Sequence, residues 1–96
     1  MKPTAVLVNT ARGPVVDESA LIESLSSGEI FAAGLDVYER EPEVPAALVA
    51  LENVVLAPHL GTATHNARDA MGMRVIENIE TFLSTGTPTD LVNPSV

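Results

Sequence analysis

The 96 residues contain no cysteine, which excludes disulfide staples, thiolate metal ligands and thiol nucleophiles together; no metal site is predicted. Basic residues are scarce. Five Lys plus Arg stand against thirteen Asp plus Glu, and a net charge of -8 at pH 7 would be repelled by a phosphate backbone, so nucleic acid is excluded as a partner. No apolar run approaches the roughly 18 residues that span a bilayer, which argues against a membrane partner. Met1-Lys2-Pro3 opens no signal-peptide pattern, and a cytoplasmic location is expected. Internal repeats and low-complexity segments are also missing. What remains is 46% apolar and 19% charged, a globular composition of a length that suits one small domain with a modest core.

Ala5-Val-Leu-Val-Asn9 is a continuous apolar run, the pattern of a strand buried on both faces of a parallel sheet. It ends in Asn9-Thr-Ala-Arg-Gly13, where an arginine at a strand tip can grip a carboxylate with two hydrogen bonds or simply lie in solvent. Asp17 reads as an N-cap, Glu18 as the first turn, and Ala20, Leu21, Ile22 and Leu25 as the apolar stripe of a helix closed by Gly28. A second strand is predicted over Phe31 to Val37, and the order strand, helix, strand implies a right-handed parallel crossover. Asp36, between Leu35 and Val37 at that strand's carboxyl end, is expected to find a hydrogen-bond donor.

Tyr38 to Pro45 carries four charges and two prolines and should form an ordered, non-helical loop. A helical turn over Ala46 to Leu51 and a third strand over Val54 to Leu56 follow. That strand runs at once into Pro58, His59 and Gly61. Ligands of open α/β sheets bind beyond the carboxyl ends of strands, so His59 is either a proton-transfer group facing a crevice or a loop histidine without a role. A glutamate from the preceding loop that met it would favour the imidazolium and make it a proton donor. Thr62 or Thr64 then caps a long helix reaching about Ser84, with Ala67, Met71, Val75, Ile79 and Phe82 on one packing face, and Gly86 stops it. The predicted fold is α/β: a parallel three-stranded unit over residues 1–86 with a long C-terminal helix, and a polar tail over residues 87–96.

Asn9-Thr-Ala-Arg-Gly13, Gly34-Leu-Asp-Val-Tyr-Glu-Arg-Glu-Pro42 and Asn53-Val-Val-Leu-Ala-Pro-His-Leu-Gly61, in this order and spacing, resemble the signatures of the D-isomer-specific 2-hydroxyacid dehydrogenases. The wording is most similar to the glyoxylate and hydroxypyruvate reductases of that family. The resemblance implies an NAD- or NADP-dependent oxidoreductase, in which residues 1–86 are the C-terminal half of a Rossmann-type dinucleotide-binding domain, reducing small 2-keto acids to D-2-hydroxy acids. It implies that Arg12 binds the substrate carboxylate, that His59 gives a proton to the nascent alkoxide, and that Glu41 is the acid paired with it; related formate dehydrogenases place glutamine there. It assigns Asp36 to the nicotinamide carboxamide, with Ala11, Arg12, His59 and Gly61 lining the nicotinamide pocket.

The six glycines, at 13, 28, 34, 61, 72 and 86, form no Gly-x-Gly-x-x-Gly, so the loop that cradles a pyrophosphate is not among these residues. The chain is therefore expected to be the truncated last third of such an enzyme, starting at an internal methionine and inactive alone. The alternative is a non-catalytic binding or oligomerisation module, as in the C-terminal-binding-protein corepressors that share the pattern. In the family's sheet the strand matching Ala5 to Asn9 lies inside. With one neighbour missing its edge would be free, which predicts a homo-oligomer built on that strand or on the long helix.

Overall fold

The computed structural model describes residues 1–93, and the last three residues of the predicted tail lie outside the described residues. The chain divides into two compact units, Met1–Gly61 and Thr62–Val96. In the first, β1 (Val6–Asn9), α1 (Glu18–Ser26), β2 (Ala32–Leu35), α2 (Ala46–Val49) and β3 (Val54–Leu56) follow in chain order. The sheet is parallel throughout, in the order β1-β2-β3. This is the predicted α/β arrangement, with strand ends within about two residues of the expected ones.

Register decides what the strand tips share. Leu7 pairs with Ala33 and Ala33 with Val54; Asn9 pairs with Leu35 and Leu35 with Leu56. The three strands thus end level, and the ladder continues one step further, where Asp36 N–H donates to the Asn9 carbonyl and Ala57 N–H to that of Leu35. Because side chains alternate along a strand, Leu7, Ala33, Leu35, Val54 and Leu56 all point to one face. There they meet Leu21 and Leu25 of α1, Leu48 of α2, Ile30 and Tyr38.

One expectation is corrected. The apolar run of β1 is not buried on both faces: Leu7 packs against the core, but Val6 and Val8 are 55% and 68% exposed, as is Val55 at 73%. Within this unit both helices pack on the Leu7 and Leu35 face, so the alternate residues carry nothing from α1 or α2.

Local signals hold where they were predicted. Asp17 accepts from Ala20 N–H at the start of α1, and Gly28 takes the left-handed turn after it, with φ 76°. Missed was a short 3-10 turn, Gly13–Val15. Its Gly13 is buried so closely against the chain that an added Cβ would fall inside the Tyr38 carbonyl and the Glu39 nitrogen.

The second unit holds α3 (His65–Thr85). Thr64 caps it by accepting from Ala67 N–H, and Gly86, at φ 79°, ends it. None of its residues is buried, so Ala67, Met71, Val75, Ile79 and Phe82 do not form the expected packed stripe there. The unit contains one helix and the segment after it, too little to cover an apolar face. That segment is anchored: Asp90 takes both Nε and Nη2 of Arg74, at 2.6 and 2.5 Å, and the side-chain amide of Asn78 at 2.8 Å. These donors hold the Asp90 carboxyl down to about 2.

Two glycines make opposite predictions. Gly13→Ala must push apart two backbone segments and should destabilise the first unit by about 1–3 kcal/mol, the range for overpacking. Gly72→Ala meets nothing within 4 Å and should stabilise α3 by about 0.5–1 kcal/mol through helix propensity. Thermal melts followed by circular dichroism check both, and a Gly13→Ala chain that melts like the parent would refute the close approach.

Candidate active site

The level strand ends bring three successive tips together, residues 10–12, 36–38 and 57–59. After β1 the chain turns on Asn9, which is buried. Its side-chain oxygen accepts from Ala11 N–H at 3.1 Å and its amide donates to the Arg12 carbonyl at 2.9 Å. Both ends of the Thr10–Arg12 turn are thereby fixed, and Arg12 is carried out exposed from a rigid base. Its Nη1 donates to the Ala11 carbonyl at 2.6 Å, and it forms no ion pair among the described residues.

After β2 come Asp36 and Tyr38, both buried. Asp36 finds its expected donors, and they are backbone ones: Leu60 N–H reaches Oδ1 at 2.6 Å and Gly61 N–H reaches Oδ2 at 2.8 Å. The Tyr38 hydroxyl lies 2.8 Å from the Ala57 carbonyl and 3.3 Å from that of Leu35, bridging the ends of β2 and β3. Burial, with the Asp36 charge beside it, pushes the phenol up from its ordinary value.

After β3, His59 sits in the left-handed region at φ 55°, and its Nδ1 lies 2.7 Å from Glu41 Oε2. The other oxygen of Glu41 accepts from Tyr38 N–H at 3.0 Å. The imidazole, the Tyr38 amide and, least, the Arg12 charge all hold the Glu41 carboxyl below its ordinary value. With Nδ1–H given to a carboxylate, Nε2 is the nitrogen left for chemistry. Tyr38, Glu41, Pro42, Val44, Leu56 and His59 border a mostly apolar cavity of about 340 Å³ beside the pair.

His59 and Glu41 are thus in direct contact, and Asp36 and Gly61 are joined to the same turn. Arg12 and Ala11 stand on the neighbouring tip without a hydrogen bond to these four. Sequence reasoning missed Asn9 and Tyr38. An asparagine closing an apolar strand is a signal for a turn built on its side chain, and it was available. Tyr38 opens a charged loop and carries no such local signal.

Residues 1–61 match the family model described as D-isomer specific 2-hydroxyacid dehydrogenase, NAD binding domain. A glyoxylate reductase of Thermococcus litoralis is 52% identical over all 96 residues, which span 29% of its length. Among solved structures, an NADPH-dependent glyoxylate/hydroxypyruvate reductase from Sinorhizobium meliloti, in complex with NADP and malonate, superposes with a TM-score of 0.80 at 47% identity. It covers 91% of this chain and 28% of its own. A glyoxylate reductase from Paecilomyes thermophila gives 0.87 at 40% identity, over 96% and 28%. The chain spans about three tenths of the curated relatives it matches.

The pairing fixes a pH dependence. Glu41 is depressed in the folded state, so its contribution to stability is present above the unfolded glutamate value and is lost as pH falls through the folded one. The side-chain carboxyl carbon of Glu41, followed by NMR, should titrate below the ordinary glutamate range, and His59→Gln should move it upward. A wild-type Glu41 titrating at the ordinary value rules the pair out in solution.

Proposed function

The chain belongs to the D-isomer-specific 2-hydroxyacid dehydrogenase family, and on that premise we propose that its residues serve an NAD(P)-dependent reduction of glyoxylate- or hydroxypyruvate-type 2-keto acids to D-2-hydroxy acids. The observation that carries the reading is the 2.7 Å contact between His59, beyond β3, and Glu41, beyond the central strand β2, at the sheet edge where β1 presents Arg12. The Arg12 guanidinium takes the substrate carboxylate in a two-pronged grip, which orients the adjacent carbonyl. His59, with Nδ1–H on Glu41, donates the proton on Nε2 to the carbonyl oxygen as negative charge develops there. The Glu41 carboxylate, held on Nδ1, fixes the ring plane during the transfer.

The residues present fit the nicotinamide end of the cofactor. The Asp36 oxygens each keep a lone pair beyond their backbone bonds, suited to a carboxamide N–H, and Gly61 beside them has no side chain to block approach. Asp36 and Gly61, with Ala11, Arg12 and His59, would hold that end. When bound, the cofactor supplies the hydride. Either NAD or NADP is compatible with these residues; the Sinorhizobium meliloti relative is NADPH-dependent. The pyrophosphate cradle is not among these 96 residues, so turnover is proposed for residues 1–86 acting as the second half of a full dinucleotide site.

Assembly follows from the sheet. β1 has a strand neighbour on one side only among the described residues, and Val6 and Val8 leave the adjoining sheet face apolar and exposed. For the 96-residue chain by itself we propose a homo-oligomer, most simply a two-fold dimer through β1.

In the protein carrying the full dinucleotide site, Arg12→Ala should raise the KM for the keto acid by about 10- to 100-fold, the value of a charge-assisted pair, with a smaller effect on kcat. His59→Ala should lower kcat by about 10²- to 10⁴-fold at nearly constant KM. Near-normal turnover without His59 refutes the reading. For assembly, light scattering should show a dimer at micromolar concentration that Val8→Lys dissociates. Leu7 is unsuitable for this probe because it packs against the core. A monomeric parent chain sinks the proposal.

A further inference from the structure

We propose that Asp36 is a positioning residue for His59: its carboxylate is the template on which the turn 59–61 is built, a role separate from any contact with the cofactor. The inference rests on His59 being the proton donor, as proposed above. Three independent features of the turn point to it. Leu60 and Gly61 give their successive backbone N–H groups to the two oxygens of this one carboxylate, at 2.6 and 2.8 Å. Successive amides converge on a single anion when the chain passes through alternating right- and left-handed conformations, forming a small anion-binding nest. His59, the residue just before them, supplies the left-handed conformation at φ 55°, which a side chain other than glycine rarely adopts unless its surroundings impose it. Gly61 completes the arrangement, since a Cβ there would stand 3.2 Å from Oδ2 and press on the carboxylate.

The charge balance agrees. Asp36 is 8% exposed, and it forms no salt bridge among the described residues. A buried carboxylate without a cation needs strong donors, and the two amides are those donors. The backbone direction at position 59 decides where the imidazole goes, and with it the contact to Glu41. Glu41 is itself held by Tyr38 N–H, two residues beyond Asp36. Both members of the proton-donating pair are therefore referenced to the end of β2, His59 through Asp36 and Glu41 through Tyr38.

The test needs no cofactor in its first arm. Asp36→Asn keeps the shape and one acceptor but turns an N–H2 group toward one of the backbone amides. In the 96-residue chain the Glu41 carboxyl titration should move upward in Asp36→Asn, toward the position it takes in His59→Gln. A residue that only touches cofactor would leave it at the wild-type position, and that result overturns the proposal. Stability gives the second readout, because glycine adopts the left-handed conformation without strain. Asp36→Asn should lower Tm less in a His59→Gly background than in the parent. Equal losses in both backgrounds overturn the proposal, as does failure of Asp36→Asn to fold in either; folding rescued by His59→Gly supports it. In the protein with the full dinucleotide site, Asp36→Asn should cost at least tenfold in kcat. If the titration and the cycle respond but kcat does not, the placement of His59 by Asp36 stands and the reading of His59 as proton donor falls.

Discussion

The site depends on one geometric constraint, the register in which Asn9, Leu35 and Leu56 form the last paired row of a parallel sheet. In a parallel sheet the carboxyl ends all lie at one edge, and residues a few positions beyond a level row must emerge as neighbours. A slip of one residue in β3 would turn Leu56 to the opposite face and move His59 away from Glu41 together. The core enforces the register, because Leu7, Ala33, Leu35, Val54 and Leu56 reach Leu21, Leu25 and Leu48 in that one alignment. Packing and chemistry are set by the same pairing.

At this edge two carboxylates are handled by similar means for different ends. Asp36 and Glu41 each have both oxygens engaged, but Asp36 faces two backbone amides, while Glu41 faces one amide and one imidazole. Amides have no titration in the accessible range, so the Asp36 contacts are permanent structure. An imidazole ring has a second nitrogen that can hold or pass on a proton, which a backbone amide lacks, so the Glu41 contact is the one of the two that can take part in proton transfer. The chain has separated a fixed anchor from a responsive one five residues apart.

Much of this was legible in the residues. The strands, the Asp17 and Thr64 caps and the stop at Gly86 follow local rules that need no partner, and they appear within about two residues of their expected places. The choice of Glu41 as the partner of His59 is not legible in the loop itself, whose three glutamates give no local reason to prefer one; only the family resemblance names it. What escaped was tertiary. Gly13 fits against the Tyr38–Glu39 peptide, Tyr38 bridges two strand ends, and Asp90 grips Arg74; each depends on how distant backbone approaches, which no periodicity encodes. The apolar run of β1 misled for a related reason. Val6 and Val8 look like core by type, and only the placement of α1 and α2 shows which face they occupy.

Tyr38 is the only tyrosine of a chain without tryptophan, and its hydroxyl is bonded to the Ala57 carbonyl, two residues before His59. The sole strong ultraviolet chromophore of these 96 residues is therefore built into the wall of the candidate site. Tyrosine emission depends on whether the phenol donates to a carbonyl or to water, so the intrinsic fluorescence of this chain is a signal from the joint between β2 and β3. Within these 96 residues the optical label lies at the place where the chemistry is proposed, without any having been added.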